Sequence, residues 1–82
     1  MTNTVLLRDW IKKSGYKLSF IADSIHLSTY GLQRKIENVS EFKTSEVDGL
    51  CKLLHIDSLD EKERVFFAQK DDLKSPSEKE TA

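Results

Sequence analysis

The 82 residues, 38% hydrophobic and 33% charged, allow one small domain with a thin core. A single cysteine excludes an internal disulfide framework, and with His26 and His55 it offers too few ligands, at the wrong spacing, for a structural zinc site. The net charge of −1 hides an asymmetry: residues 1–40 carry six bases against three acids, residues 41–82 seven bases against eleven acids, so a basic surface belongs to the first half.

No apolar stretch approaches the roughly 20 residues of a membrane span. The opening Met-Thr-Asn-Thr lacks the basic region and apolar run of a secretory signal, so a cytoplasmic protein without a membrane partner is expected. Glycine and proline are scarce and strand-like alternation is missing, which predicts an all-α fold.

Leu7 and Ile11, with neighbouring Leu6 and Trp10, recur at helical spacing and predict a first helix over residues 4–14. It should stop at Gly15, which takes the left-handed conformation freely, and Trp10 should complete the core. A second helix over residues 17–25 puts Ile21, Ala22 and Ile25 on one face. Ser28 can accept an orphan N–H at the start of a third helix, residues 29–36, with Leu32 and Ile36 turned inward. Thr44 is expected to cap a fourth helix whose inner face is Val47, Leu50, Cys51 and Leu54. Cys51 is then a small buried hydrophobe, and His55 complements the dipole at the helix end.

Ser58 with Glu61 suggests a capping box for a fifth helix, residues 59–68. Val65, Phe66 and Phe67 are consecutive and cannot all face inward; some pack on the domain and the rest are candidates for a homodimer contact. From Lys74 the sequence Lys-Ser-Pro-Ser-Glu-Lys-Glu-Thr-Ala has no apolar side chain larger than Ala and Pro, predicting a disordered tail over 74–82 behind a domain over 1–73. The chain has no internal repeat.

Two short helices joined by a tight turn, with the small Ala22 inside the first and Leu27 plugging the turn, meet the requirements of a helix-turn-helix over residues 18–36. Ile21, Ile25, Leu32 and Ile36 would hold the pair at the fixed angle that base reading needs. The segment Ile21-Ala22-x-x-Ile25-His26-Leu27-Ser28-x-x-x-Leu32, followed by Lys35-Ile36 and Ser40-Glu41-Phe42, resembles the lambda-repressor/Cro-type helix-turn-helix family, and most of all small phage Cro-like proteins of Gram-positive hosts. Glu46-Val47-x-x-Leu50-x-x-Leu53-Leu54-x-Ile56 and the Phe66-Phe67 pair extend the similarity over about residues 4–68.

That resemblance implies a five-helix, lambda-repressor-like DNA-binding domain acting as a transcriptional regulator of a lysis–lysogeny switch on double-stranded operator DNA, with no cofactor. Carried over position by position, base contact falls to Thr29, Tyr30, Gln33 and Arg34. Gln33 suits adenine, Arg34 guanine, and Thr29 or Tyr30 a thymine methyl or a hydroxyl contact. Lys17, Ser28, Lys35, Ser40 and Lys43 are the implied phosphate contacts.

The sequence also departs from the family pattern. Leu18 stands where a phosphate-gripping Gln usually opens the second helix, and His26 where the turn usually has Gly. Glu37-Asn38-Val39 replaces Asn-Gly-Lys after the recognition helix. Asn38 tolerates positive φ, but Glu37 and Val39 put a negative charge and an apolar group where a phosphate would approach. These departures support an alternative role: an antirepressor or modulator whose helix-turn-helix face binds a partner phage repressor and masks its DNA-binding surface. Tyr30, Gln33, Arg34 and Phe20 would then be protein-contacting anchors. Catalysis is not expected, because no Gly-rich phosphate loop, no nucleophile with His and acid partners and no metal-ligand spacing is present.

Overall fold

Five helices follow one another, four of them with a side-chain acceptor on a backbone amide at their start. The structure, a computed structural model, describes residues 1–68. The helices are α1 (Thr4–Ser14), α2 (Leu18–Ser24), α3 (Thr29–Ile36), α4 (Thr44–Leu54) and α5 (Leu59–Phe66), with no strand among the described residues. The predicted tail over 74–82 lies outside the described residues, as does the end of the predicted domain beyond residue 68.

Side-chain acceptors start three of the helices. Asn3 Oδ1 takes the Leu6 N–H at 3.1 Å, Ser28 Oγ the Gly31 N–H at 3.0 Å and Ser58 Oγ the Glu61 N–H at 3.4 Å. The expected Thr44 cap is corrected: Thr44 is already helical, and Lys43 is the residue that flanks α4. Lysine has no acceptor to offer. Instead Glu46 reaches back, its Oε1 accepting the Lys43 N–H at 2.8 Å, so only the carboxylate half of a capping box forms.

The ends of α2, α3 and α4 share one device. After α2, His26 enters the left-handed region at φ 62, its N–H bonds Asp23 O, and the Leu27 N–H returns to Ala22 O at 2.8 Å. That pair of bonds is a Schellman closure. Asn38 at φ 64 repeats it after α3, with the Val39 N–H on Arg34 O at 2.8 Å. After α4, His55 at φ 62 takes the same position, with the Ile56 N–H on Cys51 O at 2.8 Å. Glycine holds this conformation only after α1, at Gly15, φ 76. The residue expected to complement the dipole of α4, His55, is the one that takes the left-handed closing position there. Helix α5 ends two residues earlier than its pattern predicts, because the Ala68 N–H turns away to Met1 O at 2.9 Å.

One side chain from each helix, Leu7, Ile21, Leu32, Leu50 and Val65, is completely buried. Burying each of them stabilises the fold by about 1.5–3 kcal/mol relative to exposure. Trp10, Leu27 and Phe42 pack around this centre, and Phe42 meets Phe66 edge to face, ring centres 5.7 Å apart. Gly49 lies inside α4 although glycine costs a helix interior up to about 1 kcal/mol. The reason is spatial: a Cβ there would stand 2.9 Å from Ile25 Cγ2, so the absence of a side chain lets α4 approach the end of α2.

Residues 1–4 form a clasp between two distant parts of the chain. The Asn3 N–H donates to Val65 O at 2.7 Å, tying the start of α1 to α5. Thr4 Oγ1 donates to Ile36 O at 2.6 Å. Asn38 presents its whole amide to the backbone of Thr2: Oδ1 accepts the Thr2 N–H and Nδ2 donates to Thr2 O, both at 2.8 Å. Thr2 is buried in consequence.

Candidate functional site

The site is the outward face of α3 with its flanks. Leu32 and Ile36 are buried against the core, and the Ala22 side chain, 1% exposed, lets α2 and α3 pack closely. The opposite face of α3 carries Thr29, Tyr30, Gln33 and Arg34, all four exposed. Spacings of four residues, 29 to 33 and 30 to 34, stack them in two adjoining rows. Arg34 Nη1 donates to Tyr30 Oη at 3.2 Å, and its guanidinium carbon lies 5.5 Å from the centre of the Tyr30 ring.

The five expected phosphate residues divide. Lys17, Ser40 and Lys43 are exposed at the ends of α2 and α4 and in the loop between α3 and α4. Ser28 is exposed, but its Oγ already caps α3. Lys35 is the one to revise. Its ammonium pairs with Glu46 across the α3–α4 junction, and the two side chains are only 12% and 9% exposed. Desolvation pushes the Glu46 carboxyl up, but the Lys35 hydrogen bond, the Lys43 amide and the charges of both lysines outweigh it and hold its pKa below the usual value of 4.5. A lysine committed to that pair is a structural residue, not a free hand for a phosphate.

Around the rim, Glu37 closes α3 and is paired with Arg8 at 3.1 Å, both side chains more than half exposed. The acid sits unfavourably at a helix C-terminus, and Arg8 offsets it. Val39 is 56% exposed, and Phe20 on α2 is 49% exposed and tilted against Tyr16 with ring centres 5.0 Å apart. The Val65-Phe66-Phe67 run is divided as well: Val65 and Phe66 belong to the core and are withdrawn as interface residues, while Phe67 is 54% exposed.

Sequence reasoning missed the Glu46 pair, whose partners are eleven residues apart across a loop and leave no periodic trace. It also missed Asn38's hold on Thr2, although an Asn in a glycine position was the available signal. Cys51 is buried, and desolvation, with Lys62 lowering and Asp48 raising, leaves its thiol pKa above the ordinary value of 9.0. Among the described residues no three His, Cys, Asp or Glu side chains are grouped to hold a metal, and no helix is long and apolar enough to cross a membrane. No protein family model, no curated protein and no solved structure matches the chain.

Proposed function

We propose that this protein is a transcriptional regulator of a phage-type lysis–lysogeny switch and that α3 reads operator DNA in the major groove. The observation that carries the reading is the division of α3 into two faces: Leu32 and Ile36 buried, and Thr29, Tyr30, Gln33 and Arg34 exposed together. A rigid helix with hydrogen-bonding side chains on its outer face is what base-edge reading needs. Lys17, Ser40 and Lys43 supply the phosphate contacts that set register. Phe67, exposed at the end of α5, is the residue available for pairing two copies on a two-fold operator.

A second reading rests on the rim. With Lys35 withdrawn into an ion pair and Glu37, Val39 and Phe20 exposed, the surface around α3 has fewer cations and more apolar area than a duplex favours. The same face, with Tyr30 and Arg34 as anchors, suits a modulator that covers the DNA-binding surface of a partner repressor. The deciding experiment is fluorescence anisotropy against duplexes selected from a random pool, repeated from about 50 to 200 mM salt. Micromolar or tighter binding that discriminates between sequences and falls steeply with salt supports the DNA reader. Failure to select any duplex, with co-purification of a repressor encoded beside the gene, replaces it with the modulator.

A further inference from the structure

Tyr30 and Arg34 form a unit, and we infer that Tyr30 is a positioning residue that aims the Arg34 guanidinium instead of touching a base itself. The inference rests on the DNA-reading role of α3 proposed above and assigns different work to two residues that the helix places side by side.

Three observations carry it. Tyr30 and Arg34 are one helical turn apart on the exposed face, so the contact forms within α3 and exists before any ligand arrives. Tyr30 Oη accepts from Nη1, the terminal nitrogen on the Cδ side of the guanidinium. The ring also lies under the same group, its centre 5.5 Å from the guanidinium carbon, and restricts the remaining rotation. With Nη1 held, the edge made by Nε and Nη2 is left with two parallel N–H bonds facing away from the tyrosine. Two parallel donors match the O6 and N7 acceptors of guanine. A free arginine at this site would lose rotamer freedom on binding; one already held by Tyr30 loses less. The tyrosine therefore contributes discrimination for guanine at one position without supplying a donor to it.

The test uses the full chain. In the free protein, 15N relaxation at the Arg34 Nε should report an ordered side chain that becomes mobile in Tyr30→Phe, which keeps the ring and loses the hydroxyl, and more so in Tyr30→Leu. In the DNA arm, the probe is the duplex selected from a random pool, with each guanine replaced in turn by 7-deazaguanine to remove N7. One position should discriminate strongly with the natural protein. In Tyr30→Phe the affinity should fall about threefold, the size of one exposed hydrogen bond, with the loss concentrated at that guanine and the salt slope unchanged.

Equal discrimination in Tyr30→Phe, or a loss spread evenly over all positions, overturns the inference while leaving the DNA-reading role standing. Selection of no duplex at all overturns that role, and the positioning contact then stands or falls on the relaxation data: an Arg34 Nε equally mobile in the natural and variant proteins sinks it.

Discussion

The two turns that bracket α3 have nearly the same backbone, with His26 at φ 62 before the helix and Asn38 at φ 64 after it. Each closes the preceding helix by a Schellman pair of amide bonds, and each puts a residue other than glycine where glycine is easiest. Their side chains behave differently. The His26 side chain is exposed, and Leu27, half-buried against the core, anchors its turn. Asn38 uses both ends of its amide on Thr2, and the next residue, Asn3, is bonded in turn to α5. The entrance to α3 is thus fixed by packing and the exit by polar stitching, and the difference teaches that the same left-handed backbone can be supported in distinct ways at the two ends of one helix.

The polar side of that contrast breaks most readily at Glu46. Glu46→Ala leaves the Lys35 ammonium buried without its partner and removes the acceptor for the Lys43 amide, so a loss of about 3 kcal/mol is expected in urea unfolding. A loss below about 1 kcal/mol would mean that the pair is only incidental. Asn38→Gly comes next. Glycine relieves the left-handed backbone, but both hydrogen bonds to Thr2 disappear, for a net loss of about 1–2 kcal/mol.

The same substitution at the other turn should have the opposite sign. At His26→Gly the relief of positive φ is opposed only by the greater unfolded-state freedom of glycine, leaving a gain of about 0.5 kcal/mol. Equal signs at 26 and 38 would dissolve the distinction between the two turns.

Acid titration sharpens the comparison without altering the backbone. The folded pKa of Glu46 lies below the unfolded value of 4.5, so its carboxylate contributes stability that is fully present above that pH and is lost as pH falls through the lowered folded pKa. Glu46→Gln should flatten the stability profile below pH 4.5.

The smallest change in stability, within about 0.5 kcal/mol, is expected of the double variant Glu37→Asn with Val39→Lys, since the Arg8–Glu37 pair it removes is exposed. Its duplex affinity should nevertheless rise as an acid and an apolar side chain give way to a neutral amide and a cation. An unchanged affinity across a salt series would show that no phosphate approaches that loop.

Helical periodicity was enough to place five helices and the inner faces of the first four, because Leu7, Ile21, Leu32 and Leu50 fall on stripes that a 3.6-residue repeat makes visible, whereas the consecutive Val65, Phe66 and Phe67 left open which of them turn inward. The bounds of α1 and α3 were legible too, since Gly15 and Ser28 announce them locally. The start of α4 was not: Thr44 is the better capping residue by type, but Glu46 is drawn to the Lys43 amide and the Lys35 ammonium at once, a choice made in three dimensions.

For the candidate site, α3's exposed face could be read from the sequence, and the withdrawal of Lys35 could not. A lysine on a basic stretch looks the same whether its ammonium meets water or a carboxylate eleven residues on. The end of α5 shows the same limit, because the Ala68 amide just beyond it bonds Met1, from the far end of the described chain.

The clasp of residues 1–4 has a consequence for the order in which a ribosome delivers this protein. Thr2 and Asn3 leave the ribosome well ahead of their partners, since the Val65 carbonyl and the Ala68 amide that hold their neighbourhood arrive more than sixty residues later. Helix α3 and the Asn38 turn are therefore synthesised well before the tether from α5 can close over them. A nascent chain stalled short of residue 65 would expose α3 without its full support, and the amide protons of Asn3 and Ala68 would be the last to gain protection from exchange with solvent.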